Sequence, residues 1–152
     1  MKSLFIAALL VTQFTAGAQI YVPLKIVKGV ATFQATAETK LSAADIHKRT
    51  IEWLEKTFLA EQVVTLDTPA KITARYFQDY ANDTWSDRFE HMLQIDIIDN
   101  HAIFTVTDTK LGLIRDGEWK QNLAKMRVMF EQGVNELFWA YEESLNQSSG
   151  KE

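Results

Sequence analysis

Positions 31–38 alternate in polarity. Ala31, Phe33, Ala35 and Ala37 share one parity, and Thr32, Gln34, Thr36 and Glu38 share the other. A period of two with one polar side predicts a half-buried strand. Ser42 then opens a helix, with Asp45 as its reciprocal cap and as negative charge in the first turn. His47, Ile51, Leu54 and Phe58, flanked by Ile46 and Trp53, recur at helical spacing and extend that helix from Ser42 to about Ala60. Gln62 to Asp67 is short and β-branched, and Asp67-Thr68-Pro69 signals a turn. From Lys71 to Tyr80 alternation resumes, with Ile72, Ala74 and Tyr76 opposed to Thr73 and Arg75.

The strongest local signal runs from Arg88 to Asp108. A two-residue turn at Asp99-Asn100 pairs Ile97 with Ala102, Ile95 with Phe104, and Leu93 with Val106, all on one face. Gln94, Asp96 and Thr105 fall on the other face, with Ile103 the apolar exception. A slip of one residue would scramble this sorting, so the register is well specified. Beyond Asp116-Gly117, a long helix from about Glu118 to Leu145 carries Trp119, Leu123, Met126, Phe130, Val134, Leu137 and Tyr141 along one stripe.

These elements predict one α+β domain over residues 29–145, in the order β-α-β-β-β-β-α. Its simplest packing is two layers, a five-stranded antiparallel sheet with both helices on its apolar face. The other face holds Thr32, Gln34, Thr36, Arg75, Gln94, Asp96 and Thr105 and stays in water. A leader, residues 19–28, precedes the domain, and a polar tail, residues 146–152, follows it.

The first eighteen residues read differently. Met1-Lys2 is a short positive start, Leu4 to Val11 is unbroken apolar sequence, and Ala16-Gly17-Ala18 supplies small residues before Gln19. This is the layout of a secretory signal peptide cleaved after Ala18, with an apolar run too short to span a bilayer. The expected product is exported, to periplasm or medium, with no transmembrane span.

Composition narrows the chemistry. Lys and Arg number 16 against 20 Asp and Glu, a net charge of −4. Mild acidity argues against a nucleic-acid partner, which needs a basic face. Cysteine is absent, which removes disulfides, thiolate nucleophiles and Cys-type metal centres. The glycines are isolated, so no phosphate-cradling loop or dinucleotide fingerprint is present, and no metal site or cofactor is expected.

Three candidate sites remain. In the hairpin register His91 falls opposite Asp108, and Ser86 lies nearby in sequence, so Ser86, His91 and Asp108 form a weak hydrolase-like candidate. The ordinary alternative is a His–Asp pair at the sheet margin. A loop holding Tyr80, Asp83 and Trp85 offers oxygen ligands beside aromatics, as sugar binding uses, or is simply a polar hairpin loop. On the long helix Val128 and Trp139 lie opposite Phe130, facing water. They mark a contact for a protein partner or a second copy, unless the leader Ile20 to Leu24 folds back over them.

The order of elements resembles the TATA-binding-protein-like fold. In detail it resembles a family of small exported bacterial proteins of unknown function that has this fold. The carrying residues are the exported leader, Ile46, Trp53-Leu54 and Phe58, the strand Ala70 to Tyr76, and the hairpin from Leu93-Gln94-Ile95-Asp96-Ile97 to Phe104-Thr105-Val106-Thr107. The resemblance covers roughly residues 29–145 and brings no catalytic or ligand residues with it. It does not imply DNA binding, because the polar face lacks the clustered basic residues and wedge aromatics of a minor-groove binder. The functional expectation is an exported, non-catalytic binding or interaction module of the cell envelope. The alternatives are a small secreted hydrolase using His91 and a structural accessory subunit of an envelope assembly.

Overall fold

The computed structural model describes residues 19–58, 64–81, 86–108 and 119–148, with side chains for all of these except 80–81, 86–88, 108 and 119–124. Its elements are β1 (Lys25–Val27), β2 (Val30–Glu38), α1 (Ala43–Thr57), β3 (Val64–Thr68), β4 (Lys71–Ala81), β5 (Ser86–Ile98), β6 (His101–Asp108) and α2 (Trp119–Asn146). The strands form one antiparallel sheet in the order β1-β2-β6-β5-β4-β3. The sheet has six strands rather than the expected five. The extra one is β1, made from the end of the leader. It folds back on β2 through Lys28-Gly29, whose φ angles of +51° and +79° supply the left-handed turn a two-residue hairpin needs.

The β5–β6 hairpin has the register its polarity dictates, with Ile97 opposite Ala102, Ile95 opposite Phe104 and Leu93 opposite Val106. Asn100 takes the left-handed position of the turn at φ +68°, a conformation its short polar side chain tolerates. The same turn anchors α1. Asp99 Oδ1 accepts the Ala43 N–H at 2.8 Å, and Asn100 exchanges backbone hydrogen bonds with Thr39 and Leu41. Ser42 caps α1 by accepting the Asp45 N–H and donating its hydroxyl to Asp45 Oδ2.

Both helices cover one sheet face and enclose the core. Phe33, Leu93, Ile95, Phe104 and Val106 rise from the sheet to meet Ile46, Trp53 and Leu54 of α1 and Met126, Phe130, Val134, Phe138, Tyr141 and Leu145 of α2. Phe104 is the hub, with the rings of Phe33, Trp53, Phe138 and Tyr141 at centroid distances of 6.2, 6.2, 5.6 and 5.4 Å.

The buried stripes are rotated slightly from the expected ones. On α1 the centre is Ile46, Thr50, Trp53 and Leu54, while His47 sits at the margin. Burial of Thr50 costs little because its hydroxyl donates to Ile46 O at 2.7 Å and accepts from the Tyr141 hydroxyl at 2.9 Å. His47 Nε2 instead reaches Asp67 Oδ1 at 2.6 Å and ties the helix to the edge strand β3. On α2 Phe138 is buried where Leu137 was expected, and Leu137 packs at the rim.

Burial pushes the Tyr141 hydroxyl up to about 12, against a smaller opposing effect of the Thr50 hydrogen bond. A phenol whose folded pKa is raised adds stability fully present below about pH 10 and lost as pH climbs toward about 12. The Tyr141→Phe variant should therefore show a flatter decline of stability across that window in alkaline urea titrations. A decline as steep as that of the parent chain would show that Tyr141 does not govern it.

Candidate functional site

The expected triad does not assemble. Ser86 and His91 lie five residues apart on the same strand, roughly 16 Å at a rise of about 3.3 Å per residue. That is far beyond hydrogen-bond reach. Asp108 closes β6 opposite Ala31, one step past the Met92–Thr107 pair, so the backbone register does carry it beside His91. His91 itself is not at an exposed sheet margin. It is fully buried, its ring stacked on Phe130 at 4.6 Å with 6° between planes, and Tyr76 lies 5.1 Å away. A general base must meet a substrate proton, and this imidazole is walled in by core aromatics. Of the expected ligand loop, Asp83 and Trp85 lie outside the described residues, as does the side chain of Tyr80. Among the described residues no three His, Asp or Glu side chains group as a metal site would require.

On the long helix, the leader does fold back over Trp139, the alternative to a partner contact there. Trp139 is taken by the chain's own leader, because Trp139 Nε1 donates to Ile20 O at 3.1 Å and its ring lies 6.5 Å from that of Tyr21. The leader crosses α2 as an extended strap read through its main chain. Asn135 Oδ1 accepts the Val22 N–H at 2.8 Å, and its Nδ2 donates to Val22 O at 2.9 Å. Glu131 accepts from the Leu24 N–H at 3.0 Å and from the Tyr21 hydroxyl at 2.6 Å. The hydrogen bond to the Glu131 carboxylate is the main reason the Tyr21 hydroxyl is pushed up to about 12. Glu131, Asn135 and Trp139 are spaced by four residues, so they form one row on the helix. Val128 remains in water, 63% exposed.

A cleft of about 590 Å³ opens between α1 and the C-terminal end of α2, lined by Asp45, Lys48, Glu52, Trp53, Lys56 and Ser144. Arg49, also on its lining, donates to Leu145 O at 2.9 Å and Gln147 O at 2.6 Å, where its charge complements the helix dipole. Charges of both signs share this wall.

The sheet face opposite the helices is uncovered. Pairing sorts it into rows that cross the strands. The central row is Thr73, Gln94, Thr105 and Gln34, on β4, β5, β6 and β2 in turn. It holds no charge, and Gln34 Nε2 donates to Thr105 Oγ1 at 3.2 Å. One flanking row carries Arg75, Met92, Thr107, Thr32 and, at the β1 edge, Lys25, and the other Lys71, Asp96, Ile103 and Thr36. Between β4 and β5, charges on this face answer one another. Lys71 Nζ lies 3.3 Å from Asp96, Arg75 lies 3.5 Å from Glu90, and Gln94 Nε2 donates to Asp96 at 2.7 Å. Phe77, Met92 and Ile98 add apolar surface, 38%, 39% and 47% exposed.

No family model matches the chain, and no curated protein matches it in sequence. Solved structures do match in shape. A TBP-like protein from Parabacteroides distasonis superposes with a TM-score of 0.67 at 13% identity, covering 80% of this chain and 96% of that one. A DUF4468 family protein from Bacteroides ovatus superposes with a TM-score of 0.60, also at 13% identity, covering 87% and 96%. The chain is thus similar in structure both to a TBP-like protein and to a member of a domain-of-unknown-function family, as its element order led one to expect. At these identities what is shared is the architecture, and that architecture is the TBP-like fold.

Proposed function

We propose that this chain is an exported, non-catalytic binding module of the cell envelope that holds a neutral, hydroxyl-rich glycan on the open face of its sheet. One observation carries the reading: the central Thr73–Gln94–Thr105–Gln34 row is uncharged, and in the rows beside it Lys71 pairs with Asp96 and Arg75 with Glu90, with Lys25 set apart at the β1 edge. The centre of this face therefore presents no charge to an ionic partner. It offers hydroxyls and amides that both donate and accept, as neutral sugars do. A rigid sheet also presents them with little backbone ordering at the moment of binding. Export rests on the three-part leader and cleavage after Ala18. No helix among the described residues is long and apolar enough to cross a membrane. The hydrolase alternative is the weaker one, because His91 is enclosed by Tyr76 and Phe130.

Affinity electrophoresis tests the reading, with the mature chain run through gels containing a neutral β-glucan, α-glucan or mannan, and through an acidic polygalacturonate control. Retardation by a neutral polymer is expected. Thr105→Arg, which puts an unpaired charge in the neutral row, should weaken it at least tenfold, about 1.4 kcal/mol. Migration unaffected by every neutral polymer, or retardation that Thr105→Arg leaves intact, would remove the glycan assignment.

A further inference from the structure

We infer that the mature N-terminus is a modification site, at which Gln19 closes into a pyroglutamyl lactam that protects the strap on α2. The inference rests on export with cleavage after Ala18, which makes Gln19 the first residue. An N-terminal glutamine can react with itself. Its α-amine attacks the side-chain carbonyl carbon Cδ, the N–Cδ bond forms and the Cδ–Nε2 bond breaks. Ammonia leaves with the proton displaced from the amine, and no oxidant or co-reactant is consumed. The product is a five-membered ring without a primary amine or a positive charge.

The structure leaves this reaction open at Gln19. The residue is exposed, and among the described residues its side chain enters no hydrogen bond that would hold the amide away from the amine. One residue later the chain is fixed, because Ile20 O accepts from the Trp139 indole. The ring would therefore close at the free end of a docked segment without disturbing it.

The position also gives the ring a task. The strap is held through main-chain groups at Ile20, Val22 and Leu24. An aminopeptidase that took Gln19 and then Ile20 would remove the acceptor of Trp139 first. Such enzymes need a free α-amine, and the lactam has none.

The test uses the full chain isolated from its own host, with free amines labelled by reductive dimethylation at the moment of lysis, followed by intact and N-terminal mass analysis. The expected N-terminal peptide begins at position 19, lacks the mass of one ammonia and carries no label on its α-nitrogen. A peptide that begins at Gln19 with a labelled amine overturns the lactam and leaves export standing. One that begins at Met1 overturns export itself, and the lactam with it. Incubation of the isolated chain with a broad aminopeptidase adds a second reading. The native chain should keep its mass, whereas Gln19→Ala, processed at the same bond, should lose residues from its end. Equal trimming of both would contradict the protective role.

Discussion

Phe104→Ala should lower the unfolding free energy by about 3–5 kcal/mol, the range for a large aromatic removed from a close-packed core. For a domain whose total stability is on the order of 5–15 kcal/mol, this is a large share. Phe104 has no exposed surface and joins the two layers, with Phe33 beside it on the sheet, Trp53 above it on α1, and Phe138 and Tyr141 on α2. These neighbours are rings on three different elements, so they cannot collapse together into the space left behind. The cavity term then adds to the lost transfer energy. Urea denaturation followed by circular dichroism measures the effect, with Thr105→Ala, one residue away on the open face, as a control expected to cost no more than about 1 kcal/mol. A loss below about 1 kcal/mol for Phe104→Ala would mean that the two helices do not share one interior with the sheet.

The second large effect is expected from Asn135→Ala. Asn135 is fully buried, and its amide makes three hydrogen bonds, two to Val22 and one to Glu131 O. Deleting it removes both of its own contacts to the strap and leaves the Val22 N–H and C=O without their partners, at a cost of about 2–3 kcal/mol. The strap can peel into water and recover solvation, so the effect should concentrate there rather than throughout the domain. Amide exchange at Val22 and Leu24 should accelerate by roughly 30- to 150-fold, since about 1.4 kcal/mol is a factor of ten, while Phe33, Ile95 and Phe104 keep most of their protection. Unchanged exchange at Val22 would show that Glu131 and Trp139 hold the strap without Asn135.

The sheet was legible wherever alternation and a turn signal agreed. Leu93, Ile95, Ile97, Ala102, Phe104 and Val106 follow a strict period of two around Asp99-Asn100, and a shifted register would turn the whole set outward. β1 was hidden because Tyr21 to Val27 shows no clean polar parity and its turn, Lys28-Gly29, is a weaker signal than Asn-Gly. Thr50 was missed as a core position because its type is polar. Its burial depends on Tyr141, ninety-one residues away. The site was harder to read for the same reason. The leader folding back over Trp139 was one of two readings, yet its main-chain contacts with Glu131 and Asn135 emerge only in the folded structure. The neutral row on the open face likewise arises from four strands whose order, β2-β6-β5-β4, is not their order in sequence.

The glycan assignment is tested most directly by a nuclear magnetic resonance titration of isotope-labelled mature chain with the neutral polysaccharide fraction of its host's envelope. Shifts are predicted at Gln34, Thr73, Gln94 and Thr105 and their neighbours on the open face, with the helix-side residues Trp53, Lys56 and Trp139 unmoved. Shifts gathered around Trp53 and Lys56, or none at saturating polymer, would contradict it.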